Sequence, residues 1–206
     1  MKLPDPPLLL ITDRRQTLSP LADVVRAALA TGCRWISMRE KDLSEVDQVA
    51  LARVLLSMAR PHGACLTLHG DAALAKACGA DGVHLPAGSD PIASRAMLGP
   101  AKLIGLSLHT VTEAAAIDPN VVDYAIAGPI FETPSKPGYG PGIGRKGLVE
   151  IARAAPVPVL AINATRAAEV LAAGPVGIAV MGGVMRATDP GQEMRALLAI
   201  VAGTRR

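Results

Sequence analysis

Eight short apolar runs recur along this chain, each followed by an alanine-rich stretch with helical spacing. The runs lie at 8–12, 35–39, 65–68, 82–85, 103–107, 124–127, 159–162 and 177–180. The helical stretches lie near 19–31, 44–60, 71–78, 91–98, 111–117, 147–154, 165–173 and 190–202. Continuous apolar runs of four or five residues read as strands buried on both faces, which belong to parallel sheets covered by helices. Ser19 ahead of Pro20, Ser44 ahead of Glu45 and Asp47, and Thr165 are suitable helix starts. Eight such units in 206 residues predict an α/β fold, a single (β/α)8 TIM barrel occupying 1–206 as one domain. An open doubly wound sheet is the rival. It carries a glycine-rich fingerprint after its first strand, whereas Thr12-Asp13-Arg14-Arg15 follows here.

Half the residues are hydrophobic but only 2% are aromatic, so the core has to be built from Ala, Val, Ile and Leu. The net charge of +3, from 21 basic and 18 acidic residues, is too balanced to imply nucleic acid, and no basic run appears. Cys33, Cys65 and Cys78 form no CxxC pair and read as reduced thiols. No apolar run has membrane-spanning length, and the first is too short for a signal peptide. A cytoplasmic protein is expected.

In a barrel of this kind the C-terminal strand ends carry the chemistry. Arg39 and Lys41 alternate after the second strand, a fork and a point charge suited to an oxyanion, although a solvated charge cluster would look the same. The run 124–144 breaks from a strand into a Gly- and Pro-rich loop containing Thr133, Ser135 and Lys136, two hydroxyls and an ammonium that suit phosphate. Asn163 follows the seventh strand. Met181-Gly182-Gly183 follows the eighth, where glycines let backbone N–H groups approach an anion. His109 is the acid–base candidate, two residues beyond Ser107. His62 reads as a surface residue and His84, between Val83 and Leu85, as a structural one. The histidines lack zinc-ligand spacing, and no metal site is expected.

Six segments together resemble the thiamine phosphate synthase superfamily, and within it the thiazole tautomerase (TenI) branch. They are LLLITD at 8–13, SMREKD at 37–42, GADGVHLPAG at 79–88, IGLSLHT at 104–110, DYAIAGPIFETPSK at 123–136 and GIAVMGG at 177–183. The resemblance implies a homodimeric barrel of thiamine biosynthesis that binds a small phosphorylated thiazole, with no nucleic acid and no membrane as partners. The synthase joins a pyrimidine pyrophosphate to a thiazole phosphate with Mg²⁺. Arg39 and Lys41 match its pyrophosphate pair, Thr133, Ser135 and Lys136 its hydroxyl-hydroxyl-lysine loop, and Ser107 an active-site serine. This chain has His69-Gly70 where the synthase has Asn-Asp, and Ser89 where it has a second Mg²⁺-binding Asp. Asn163-Ala164 replaces the glycine pair after strand seven, and Asn163 is expected to add a donor there. Without both carboxylates the hard oxygen ligands of Mg²⁺ are missing. The expectation is therefore a cofactor-free thiazole tautomerase-like isomerase. In it His109 moves a proton to aromatise a carboxythiazole phosphate held by Arg39, Lys41, Ser107, Lys136, Met181, Gly182 and Gly183. A Mg²⁺-dependent synthase and a non-catalytic binder of thiamine intermediates are the alternatives.

Overall fold

A four-residue strand with no polar face has to be covered on both sides. The computed structural model, which describes residues 3–131, 142–162 and 166–204, covers all eight runs by closing them on themselves. The strands are β1 (Leu8–Ile11), β2 (Trp35–Met38), β3 (Cys65–His69), β4 (Gly82–Leu85), β5 (Leu103–Leu108), β6 (Tyr124–Ala127), β7 (Val159–Ile162) and β8 (Gly177–Val180). Each pairs in parallel with the next, and β1 pairs with β8, so no edge is left. The expected α/β barrel is the observed one.

The helices are α1 (Leu21–Ala30), α2 (Glu45–Ala59), α3 (Ala72–Cys78), α4 (Pro91–Leu98), α5 (Val111–Ala115), α6 (Gly144–Ala154), α7 (Ala167–Leu171), α8 (Gly182–Met185) and α9 (Pro190–Gly203). Leu21, Val24, Val25, Ala28 and Leu29 make the buried stripe of α1, with the three- and four-residue spacing of one helix face. Ser44 caps α2 by accepting from the Asp47 amide, as expected. Ser19 does not start α1. Pro20 takes the cap position with an extended ψ of 136° and no side-chain bond, and the helix begins at Leu21. Thr165 lies outside the described residues. The one-turn α8 is not legible in the sequence, because its Gly-Gly start reads as loop.

Two apolar cores result. The larger lies between the strands and the helices; the smaller fills the barrel lumen with Leu9, Ile11, Trp35, Leu103, Tyr124, Ile126, Leu160 and Ala179. Trp35 and Tyr124 head their strands and meet edge to face, with ring centroids 4.6 Å apart, at the N-terminal end. Gly105 makes this possible, since a Cβ there would run into the Tyr124 ring. On the same end Arg95 of α4 reaches the carbonyls of Gly99, Lys102 and Val121 and the carboxylate of Asp123.

Overpacking a well-filled core costs about 1–3 kcal/mol. Gly105→Ala is expected to lose that much stability in urea denaturation. An unchanged midpoint would show that Tyr124 does not need this space.

Candidate functional site

Side chains two apart on a strand share a face. The lumen face therefore runs through Ser37 on β2, Thr67 and His69 on β3, His84 on β4 and Ser107 on β5, in register with Trp35, Cys65, Gly82 and Leu103 below them. The other arc presents Ile126, Leu160, Ile162, Ala179, Leu9 and Ile11. The cleft is thus polar along β2–β5 and apolar from β6 round to β1. His84 is 1% exposed, and its Nε2 lies 2.9 Å from the Ser107 hydroxyl. The His69 ring stands 5.2 Å from that of His84, and the Tyr124 ring 5.6 Å. His84 is buried, as the sequence reading held, but it faces the cleft. Val83 and Leu85, which gave it an apolar context, point the opposite way into the helix layer. Period-two parity with Gly82 is the signal that would have found it.

A buried carboxylate organises the mouth beside β1 and β2. Glu40 is 2% exposed and accepts from the Thr12 hydroxyl at 2.7 Å. Its two oxygens also accept from the Arg14 amide at 3.1 and 3.0 Å. Thr12 in turn accepts from the Arg39 amide at 3.0 Å. This knot fastens the loops after β1 and β2 to each other. They border an open cavity of about 300 Å³ lined by Asp13, Arg15, Arg39, Lys41 and Asp42. Asp42 is held by Arg14 at 2.5 Å. Burial raises the Glu40 carboxyl above its ordinary value, against the Thr12 hydroxyl and the Arg14 amide, which favour the charged form. Burial, and after it the charge of Arg39, lowers the Lys41 ammonium.

His109 stands elsewhere on the rim. Its amide donates to Glu113 at 2.6 Å, and Glu113 also completes a capping box with Thr110. Its Nδ1 pairs with the Gly128 carbonyl, which can only accept, so the neutral ring carries its lone pair on Nε2. His109 is not among the residues lining the cationic cavity, which come from the β1 and β2 loops. After β8, Met181 caps α8, and Gly182 and Gly183 open it as helix rather than loop. The Arg186 guanidinium packs on Gly182, where a Cβ would collide with it, and donates to the Gln16 side chain. Arg15 and Arg186 are the cations that the sequence reading missed. Arg186 sits one helical turn beyond Gly182, but only the presence of α8 reveals that. Thr133, Ser135, Lys136 and Asn163 lie outside the described residues.

Burial pushes the Cys33 thiol up to about 11 and the Cys65 thiol to about 12, so neither is a nucleophile near neutrality. Among the described residues no group of three or more His, Cys, Asp or Glu could hold a metal ion. Among them, too, no helix is long and apolar enough to cross a membrane.

The chain matches the thiamine monophosphate synthase family over residues 8–184. It is 42% identical over 199 residues to a thiamine-phosphate synthase from Roseiflexus sp. (strain RS-1), covering 93% of this chain and 84% of that protein. It is 38% identical over 210 residues to a thiamine-phosphate synthase from Chlorobium luteolum, covering 100% and 98%. Among solved structures, a thiamine phosphate pyrophosphorylase from Pyrococcus furiosus superposes with a TM-score of 0.85 at 32% identity, covering 96% of each chain. These relatives overturn the expected isomerase. The likeness is to proteins named as synthases, over nearly the whole chain, and the tautomerase branch is not supported.

The Glu40 knot has two measurable consequences. Glu40→Ala leaves the Thr12 hydroxyl and the Arg14 amide without their acceptor, at about 1–3 kcal/mol for each buried group. The folded carboxyl is raised, so the folded state holds the proton more tightly. Relative to Glu40→Gln, the wild type is therefore most favoured below the ordinary value of 4.5 and loses ground as pH rises through the raised value. Urea titrations across that window check the sign, and a pH-independent difference contradicts it.

Proposed function

The chain belongs to the thiamine monophosphate synthase family, and from that premise we propose that it is a thiamine-phosphate synthase, joining a pyrimidine diphosphate to a thiazole phosphate. The observation that carries this reading is the pairing of two different places at one barrel mouth. Ser107, bonded to the buried His84, lines a cleft of about 340 Å³ with Gly88 and Ser89, fit for the polar edge of a flat heteroaromatic ring. A separate cationic cavity beside Arg39 and Lys41 is fit for a diphosphate. What favours coupling over isomerisation is the likeness, over nearly the whole chain, to proteins named thiamine-phosphate synthase.

In the coupling, the thiazole nitrogen forms a bond to the methylene carbon of the pyrimidine. The bond from that carbon to the diphosphate oxygen breaks, and the diphosphate keeps the electron pair. Arg39 and Lys41 meet the charge that gathers on the departing oxygens. Ser107, held from below by His84, orients the ring edge, while Ile162 packs against a face. The reading also gives Thr133, Ser135, Lys136 and Asn163 to the phosphates, through the family motif that the first three match.

The family resemblance implies Mg²⁺, but the residues present do not fit it. Gly70 has no side-chain donor and adopts a φ of +117°. Asp71 accepts from the amides of Ala73 and Leu74 at 2.6 and 3.1 Å, as the cap of α3. Asp90 accepts from Ile92 at 2.9 Å, as the cap of α4. Mg²⁺ demands near-octahedral oxygen ligands, and these carboxylates are already fixed to helix ends.

Purified protein given hydroxymethylpyrimidine diphosphate and thiazole phosphate is expected to form thiamine phosphate and free diphosphate, measured by chromatography. Ser107→Ala and His84→Ala are expected to lower kcat/KM about ten- to a hundredfold, the scale of one or two lost buried hydrogen bonds. Absence of product under every condition would refute the synthase reading.

A further inference from the structure

We propose that the cavity between the loops after β1 and β2 seats a diphosphate directly on Arg15, Arg39 and Lys41, with no bridging divalent ion. The identity of the anion rests on the synthase reading; the cavity and its charges do not.

Among the described residues, the carboxylates at the β1–β4 side of the mouth are engaged by their own chain. Asp13 accepts from the Arg15 amide at 3.2 Å and from the Gln16 side chain at 2.6 Å. Glu40 is buried on Thr12 and Arg14, Asp42 is paired with Arg14, and Asp71 and Asp90 cap helices. Asp42 is matched in charge by Arg14, and against the one remaining carboxylate of the lining, Asp13, stand the three cations Arg15, Arg39 and Lys41. Arg15 is set by the one-turn helix Arg14–Gln16, whose cap is Asp13. Arg39 and Lys41 are set by the Glu40 knot. A divalent cation entering here would meet a lining of net positive charge, three cations against the Asp13 carboxylate, whereas an anion relieves the repulsion among the cations. That repulsion is already visible at Lys41, where the charge of Arg39 adds to burial in disfavouring the protonated ammonium. Two guanidinium forks and one ammonium supply enough donors for a tetra-anionic diphosphate without an ion to bridge them.

The test is calorimetric titration of the whole protein with inorganic diphosphate, once in EDTA and once in excess Mg²⁺. Binding in EDTA is expected, weakened about tenfold or more by Arg15→Ala and by Arg39→Ala, with melting temperatures unchanged. Binding seen only with Mg²⁺, or an Arg15→Ala variant that binds like the wild type, would overturn the proposal. Coupling assays in the same two buffers separate it from the synthase reading. Thiamine phosphate formed in EDTA supports both. Product formed only with Mg²⁺ overturns this inference and leaves the synthase reading standing. Diphosphate binding in EDTA with no product in either buffer does the reverse.

Discussion

Closure of eight short parallel strands is the constraint on which the rest depends. A closed barrel has a small lumen, and a strand of four to six residues can send only two or three side chains into it. The chain has four aromatic residues in all, one Trp, two Tyr and one Phe, and two of them fill the lower end of this space. With Trp35 and Tyr124 supplying the bulk, the upper lumen positions are released from packing duty. Ser37, Thr67, His84 and Ser107 can then be small or polar without leaving a void beneath them. The low aromatic content, which on its own says only that the core is aliphatic, becomes informative once the placement of those few rings is known.

The mouth divides its charges by task. Acidic side chains tie the backbone. Glu40 joins two loops, Asp13 starts a short turn, and Asp71 and Asp90 begin helices. Of the basic side chains, Arg15, Arg39 and Lys41 line the cavity. Because Glu40 holds its position through hydrogen bonds to a hydroxyl and an amide, its replacement disturbs the cation array without touching a cation.

The strands were legible because continuous apolar runs bounded by glycine, proline and charge have few other readings. Their ends moved by a residue at most, as for His69 and Leu108, which extend β3 and β5. The barrel followed from the count of eight. The candidate site was less legible. Arg39, Lys41 and Ser107 were visible because they stand at strand ends, but how far apart they lie depends on ring closure. The burial of His84 was legible from its apolar neighbours, but its lumen-facing side follows only from parity with Gly82. Arg15 and Arg186 become visible only when a turn and a one-turn helix are in place. The functional error had one cause. The absence of metal carboxylates does not exclude diphosphate chemistry, because cations can meet the same negative charge.

The aromatic pair at the floor of the barrel has one more effect, on the order of events in time. A lumen sealed at one end has a single doorway, and whatever goes deepest must go first. Under the proposed reading, a ring lodged at Ser107 would lie below a diphosphate on the rim, and a second reactant would settle on top of it. Neither product can slip out beneath the other. Under the proposed coupling of two partners in such a well, arrival and departure would form a queue, ordered rather than random.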